Sequence, residues 1–347
     1  MKKNVALIAG GKGYEREISE VSAEHLFSLI DRQSYNVYII HIDSSGEWYI
    51  SQAPCQKYEK DYKDRELFTS AYPMLYKGKS GFFTEGKVLG FDCVIPCLHG
   101  DFGEDGIIQS ALCAADINYV GQDVFASAVC SDKIFSKIIA ESLGIPTARW
   151  RLSNGESAEE AKQSSEKEIG YPMFIKPARL GSSIGAYPVR EACEFIPAFE
   201  SASRYSERLL IEELIEFDYE LECSFLEGGE PELIPGGRIL SGGEFYDFDL
   251  KYVSSAIRTE VRHGTFSDAE RKAEEYSRAL ISLIGIRHLC RLDFFISSGK
   301  AVFNEINVFP GMTEASLYPK LVEGTKKDRR GFINRLIEKV SSRDRCI

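Results

Sequence analysis

The chain has 347 residues, with 53 acidic against 42 basic side chains and a formal charge of −11. That balance disfavours a nucleic-acid-binding surface, since phosphate backbones select basic ones. With 44% hydrophobic and 27% charged residues, the chain is globular and long enough for two or three domains, which excludes disorder and a collagen-like fibre.

Lys2 and Lys3 ahead of the apolar residues 5–9 imitate a secretory signal. The run is too short and meets Gly10-Gly11-Lys12 and Glu15-Arg16-Glu17, so it reads as a first strand. A helix over about 18–30 and strands over 37–42 and 93–98 follow, the rhythm of a βαβ sheet with loops at the carboxyl ends of its strands. Residues 51–90 show no clean period and read as an irregular excursion. Asp105 is the expected cap of a helix over 107–115, and a short strand at Tyr119-Val120 closes the first unit near Gly121. A helix over 132–143, ended by Gly144 and Pro146, leads into strands over 173–176 and 185–189 around the loop Ala178-Arg179-Leu180-Gly181-Ser182-Ser183. The last unit ends in a helix over 335–340. The expected class is α/β, divided as 1–121, 122–213 and 214–347.

No apolar run approaches the roughly 18 residues that a membrane span needs. Nine cysteines lie scattered without a C-x-x-C pair or zinc-like spacing, and read as reduced core thiols of a cytoplasmic protein. The run Lys326-Lys327-Asp328-Arg329-Arg330 reads as a solvated helix face.

Residues 289–307 form the sharpest constellation, a hairpin turning at 297–300. Alternation puts Arg291 and Asp293 on one face of its first strand and Glu305 and Asn307 on one face of its second. With a three-residue loop, Asp293 pairs with Glu305 and Arg291 with Asn307; a two-residue loop breaks that register. Opposed carboxylates need a cation, and an all-oxygen set of Asp, Glu and Asn suits Mg²⁺. The competing reading is a polar solvent face with an Arg291 salt bridge. Lys176, before Pro177 and the glycine-serine loop, offers charge beside free backbone N–H groups, as a phosphate cradle does, although no Walker A lysine follows and the loop could be an ordinary connection. Lys133 is a second such cation. Gly10-Gly11-Lys12-Gly13 with Asp43 imitates a dinucleotide fingerprint but fails at its third glycine, where Arg16 stands. Glu15 could take an amine or simply offset the helix dipole. His99, at the end of a buried-type strand and before Gly100-Asp101-Phe102-Gly103-Glu104-Asp105-Gly106, sits where α/β ligands gather.

These pieces, in this order, resemble the ATP-grasp superfamily and, within it, the D-alanine–D-alanine ligases. The likeness runs through Tyr14-Glu15-Arg16-Glu17, the His99 loop, Ser131-Asp132-Lys133, Phe174-Ile175-Lys176-Pro177, Gly181-Ser182-Ser183, Ile211-Glu212-Glu213, residues 245–252, Arg291-Leu292-Asp293, and Asn304 to Asn307 with Pro310-Gly311. It implies three domains, the first Rossmann-like, and ATP-driven joining of two D-alanines through an acyl phosphate for peptidoglycan. It implies two Mg²⁺ (or Mn²⁺) on Asp293, Glu305 and Asn307, with Lys133, Lys176, Lys251 and Ser183 on the phosphates. Phe174, Phe245 and Phe295 would flank adenine, Glu212, Glu213 and Ile215 would read its edge, and Glu220 would take the ribose if one residue is inserted, with Glu222 as competitor. Glu15 and His99 would hold the first substrate, Arg291 and the Gly311 N–H the oxyanion, and Ser316 and Leu317 the second carboxylate. Ser182 and Tyr252 would latch the loops onto Glu15. A homodimer in the cytoplasm is implied, with small-molecule substrates and neither membrane nor nucleic acid as partner.

The sequence departs from the family at Val308-Phe309, Glu314-Ala315 and Arg262-His263-Gly264. The Lys251-Tyr252 pair favours an amine as second substrate, while Arg258, Arg262 and His263 leave D-lactate or D-serine open. A noncatalytic nucleotide-binding relative is the alternative from another class.

Overall fold

Alternate residues of Val5-Ala6-Leu7-Ile8-Ala9 face opposite ways, and both faces are apolar, so this strand needs cover on each side. The computed structural model describes residues 2–227, 231–240, 258–262, 264–324 and 329–342, and there β1 (Lys3–Gly10) lies inside a five-stranded sheet. Its order is β4 (Phe68–Ser70), β3 (Trp48–Ser51), β2 (Tyr35–Ile42), β1, β8 (Cys93–Pro96), with β1 parallel to both neighbours. Val5, Leu7 and Ala9 pack with Leu26 and Phe27 of helix α1 (Arg16–Leu29) and with Leu336 and Ile337 of the last helix, α9 (Arg329–Ser341). Ala6 and Ile8 pack with Ile108 and Leu112 of α2 (Ile107–Ala114).

Two further sheets are antiparallel. One has the order β11 (Tyr187–Val189), β10 (Met173–Pro177), β12 (Arg208–Glu213), β9 (Trp150–Asn154), and buries Met173, Ile175 and Ile211 against α5 (Ala158–Glu168) and α6 (Phe195–Ser203). The other has the order β15 (Arg258–Val261), β14 (Glu232–Leu240), β13 (Tyr219–Leu226), β16 (Leu289–Ser297), β17 (Lys300–Asn307). One face of it, with Leu221, Cys223, Leu292, Phe294 and Phe303, packs on α3 (Val124–Ser131), α4 (Lys133–Ser142) and α7 (Asp268–Ile284). By alternation Glu220, Glu222, Arg291 and Asp293 face the other way. Helix α8 (Leu317–Gly324) is pinned there by Tyr318, whose hydroxyl donates to the Phe225 carbonyl at 2.7 Å.

The stretch 51–90, expected to be irregular throughout, is so only over 52–67, which hold no helix or strand. Beyond them it gives β4 to the first sheet and forms a three-stranded antiparallel sheet of β5 (Tyr72–Tyr76), β6 (Lys79–Thr84) and β7 (Lys87–Leu89). Strands this short show no period, but their two-residue turns, Lys77-Gly78 and Glu85-Gly86, are legible hairpin signals with positive φ at both positions. Asp105 is not the cap of α2. Gly106 occupies that position in the left-handed region, while Asp105 accepts the Ile107 and Phe102 N–H groups. Among the described residues no helix is long and apolar enough to cross a membrane, and the eight described cysteines are free.

Candidate active site

The unbonded faces of these elements enclose a cavity of about 590 Å³. Its register is set by β16 and β17. Their loop is two residues, Ser298-Gly299 with φ of 49° and 74°, where the expected pairing calls for three. A bulge restores the expected pairing: between Asp293↔Glu305 and Phe294↔Phe303, Asn304 has no partner strand residue, and Arg291↔Asn307 follows. Bulges re-aim side chains, and Asn304 Oδ1 here accepts from Lys176 Nζ at 3.3 Å.

Charge is matched locally. Arg291 grips Asp293 through Nε and Nη2, both at 2.7 Å, and stands 3.4 Å from Glu222, directly across from Asp293 on β13. Burial would lower the Arg291 pKa, but Asp293 and Glu222 hold it well above its usual value. Asn307 Nδ2 donates to Asp293 Oδ2 at 2.9 Å, and Lys133 Nζ lies 3.2 Å from Glu305. Among the described residues no three His, Cys, Asp or Glu side chains gather as a metal cluster. Asp293, Glu305 and Asn307 nevertheless fit Mg²⁺, being oxygen donors on one cavity-lining face whose charges now lean on an arginine and a lysine.

The glycine-serine loop between β10 and β11 is strained, with Ser182 and Ser183 at φ of 49° and 58°. Lys133 Nζ anchors it through the Leu180 carbonyl at 2.7 Å, and the Ser182 hydroxyl donates to Glu15 Oε1. Glu15 makes no side-chain cap to α1. It reaches into a cradle of glycines instead: a Cβ on Gly100 would sit 2.1 Å from its Oε2, and one on Gly181 3.0 Å. Behind it, burial pushes His99 down to about 4, so the imidazole is neutral and pairs with the Ser22 hydroxyl at 2.9 Å. Burial and the Glu15 charge push Glu104 up to about 8. At the far end Glu212 takes Lys176 on Oε1 at 2.6 Å and Lys137 on Oε2 at 2.9 Å. Burial would raise its pKa, but the two lysines hold it at about 2.

Residues 4–122 match the family model described as the D-ala D-ala ligase N-terminus, and residues 139–338 the model of its C-terminus. The chain belongs to the D-alanine–D-alanine ligase family. Similar curated ligases of that name come from Thermoanaerobacter pseudethanolicus (34% identical over 97% of this chain and 96% of the relative) and Clostridium acetobutylicum (31%, with 99% of each covered). Among solved structures, the D-alanine-D-alanine ligase of Coxiella burnetii aligns with a TM-score of 0.84 at 28% identity, covering 98% of this chain and 94% of that one. The VanG D-Ala:D-Ser ligase of Enterococcus faecalis aligns at 0.85 and 30%, covering 97% and 99%. The chain is therefore an ATP-dependent ligase with the ATP-grasp fold.

Of the residues that the family resemblance singled out, Glu15, His99, Lys133, Phe174, Lys176, Ser182, Ser183, Glu212, Glu213, Ile215, Glu220, Arg291, Asp293, Phe295, Glu305, Asn307, Gly311, Ser316 and Leu317 all line this one ligase cavity. Phe245, Lys251, Tyr252 and His263 lie outside the described residues. Glu220 and Glu222 separate by register: Glu220 sits across from Phe295, and Glu222 across from Asp293. Gly10, which ends β1, is required by packing, because a Cβ there would lie 2.2 Å from the Ile42 carbonyl oxygen. Sequence reasoning missed Phe217, stacked on Phe295 at 4.9 Å, and the structural roles of Glu104, Asp132, Lys137 and Asn304. A lone phenylalanine carries no signal, but Lys137, four residues beyond Lys133 on a helix, was findable as its neighbour on one face.

Proposed function

We propose that this ligase joins two D-alanine molecules, with ATP becoming ADP and phosphate, to supply the dipeptide of peptidoglycan. The γ-phosphoryl group passes to an oxygen of the first carboxylate, and the amine of the second D-alanine attacks the acyl carbon, loses a proton and expels phosphate. The observation that carries this reading is the joining, in one cavity, of a glycine-cradled carboxylate latched by Ser182 to a lysine-rich, acid-paired sheet face. Two anions meet in this reaction, so cations must neutralise both. Lys133, Lys176 and Lys251 hold the phosphates with Ser183. Phe174, Phe245 and Phe295 flank adenine, Glu212, Glu213 and Ile215 meet its edge, and Glu220, which lines the cavity across from Phe295, takes the ribose. Asp293, Glu305 and Asn307 would hold Mg²⁺, which supplies charge neutralisation to the phosphates.

Glu15 receives the first ammonium, and neutral His99 lies by its carboxylate. Arg291, held by Asp293 through Nε and Nη2, stabilises the oxyanion together with the Gly311 N–H. Ser316 and Leu317 receive the second carboxylate, while Ser182 and Tyr252 keep water from the acyl phosphate. The division 1–121, 122–213 and 214–347 assigns substrate binding, lid and catalysis in that order. A cytoplasmic homodimer fits a pathway fed by ATP.

The test is phosphate release with ATP and Mg²⁺. Release should depend on D-alanine, yield D-alanyl-D-alanine and vanish in Asp293→Ala; release indifferent to D-alanine would refute the reading. The likeness to the D-Ala:D-Ser ligase favours D-serine as a second reading. A panel of D-alanine, D-serine and D-lactate as second substrate decides between them.

A further inference from the structure

Lys137 is 1% exposed and does not line the cavity, yet it carries an ammonium. It lies one helical turn beyond Lys133 on α4, so the two side chains leave the same face of the helix at different depths. Lys133 reaches the Leu180 carbonyl and Glu305, whereas Lys137, among the described residues, pairs with the far oxygen of Glu212. Glu212 thus has two lysines for one charge. A purely structural carboxylate would need one partner, and burying a second ammonium is costly. Burial accordingly pushes the Lys137 pKa down.

The two lysines are placed differently. Lys176 lines the cavity, contacts Asn304 and stands over the Phe174 ring at 5.7 Å, so phosphate oxygens can draw it away from Glu212. Lys137, enclosed on its helix, cannot follow. When Lys176 turns to phosphate, Oε1 of Glu212 is left facing the cavity while Oε2 stays paired. An ionised carboxylate only accepts hydrogen bonds. It meets an exocyclic amine well, and a carbonyl in the same place leaves two acceptors opposed without water.

We propose that Lys137 is the positioning residue for nucleobase specificity: by staying on Oε2 it keeps Glu212 an ionised acceptor aimed at the base, so that 6-amino purines are taken and 6-oxo purines refused. This inference rests on the reading that a nucleotide occupies this end of the cavity. Equilibrium binding of ATP and inosine triphosphate with Mg²⁺ to the full chain tests it, through the ratio of the two Kd values. Unfolded protein binds neither ligand, so that ratio does not depend on the folded fraction.

The wild type should prefer ATP by tenfold or more, and Lys137→Met should bring the preference to within about threefold, chiefly by weakening ATP. Lys137→Arg, which keeps a cation, should retain most of it. If Lys137→Met yields no folded protein, Lys137→Gln carries the same comparison with a neutral partner. A ratio unchanged in the neutral variant overturns the proposal. Glu212→Gln separates the layers. If the wild type binds no ATP, the functional reading fails. If Glu212→Gln keeps the wild-type ratio, the base is not read by Glu212 and the proposal falls with it. If Glu212→Gln collapses the ratio and the Lys137 variants do not, the proposal alone is wrong.

Discussion

Glu104 shows how burial sets chemistry at a single residue. Its two oxygens accept the Gly100 N–H at 2.7 Å and the Phe309 N–H at 3.1 Å, tying the loop after β8 to the turn after β17. Enclosure and the nearby Glu15 charge nonetheless push its pKa up to about 8. A folded-state pKa above the unfolded one means that the native state keeps a proton that the unfolded chain releases. The associated stability is therefore present below about pH 4.5 and lost as pH rises through about 8. Thermal midpoints of the wild type should fall more steeply between pH 5 and 9 than those of Glu104→Gln, which cannot ionise. Parallel curves would show that Glu104 titrates normally. His99 shifts the other way: burial pushes its pKa down to about 4, so it pairs with the Ser22 hydroxyl as a neutral imidazole.

At the scale of an element, α4 depends on the residue that caps it. Asp132 is fully buried, caps the Ile134 N–H at 3.0 Å and takes Arg179 at 2.9 Å and Arg208 at 3.3 Å. It thus fixes both the helix that aims Lys133 and the base of the glycine-serine loop. Asp132→Ala should cost about 1 kcal/mol for the cap and more for the stranded arginines. Urea unfolding measures the loss, and the KM for ATP should rise in phosphate-release assays as Lys133 loosens. The hairpin β16–β17 teaches a related lesson. Its alternation was legible, so the pairing of Asp293 with Glu305 could be expected, but the means could not. A bulge at Asn304 carries no local code, because it answers to what the two strands pack against. The short strands β5 to β7 escaped for want of length, although their turn glycines were visible. Helix α3 escaped too, although α2 is equally short and the Asp123 cap was visible.

Across the whole molecule, the cavity is held by bonds between units far apart in sequence. Ser182 meets Glu15, Glu104 meets Phe309, and the Gln122 amide donates to the Arg287 and Leu289 carbonyls at 2.7 and 2.6 Å. Loosening one such bond should uncouple chemistry before it unfolds the protein. Ser182→Ala should release more phosphate than dipeptide, because water reaches the acyl phosphate, whereas the wild type should hold the two equal. Equal yields in the variant would show that the latch is dispensable. The charge of −11 also takes on a local meaning. Asp293, Glu305 and Glu212 each face a cation across the cavity wall, so an acidic chain presents a site where ATP can settle.

What the sequence by itself determined was periodic or punctuated: the βαβ start, the α4 helix, the alternating faces of the hairpin, and the ordered motifs that carry the family likeness. These are short-range signals, readable because side-chain direction repeats every two or 3.6 residues. The tertiary structure alone decided which oxygen of Glu212 meets Lys176 and which meets Lys137, that Glu222 sides with Arg291 and leaves Glu220 toward Phe295, and that burial pushes Glu104 up and His99 down. Each of those depends on burial and on charges brought together from distant segments, and neither quantity exists until the sheets have packed.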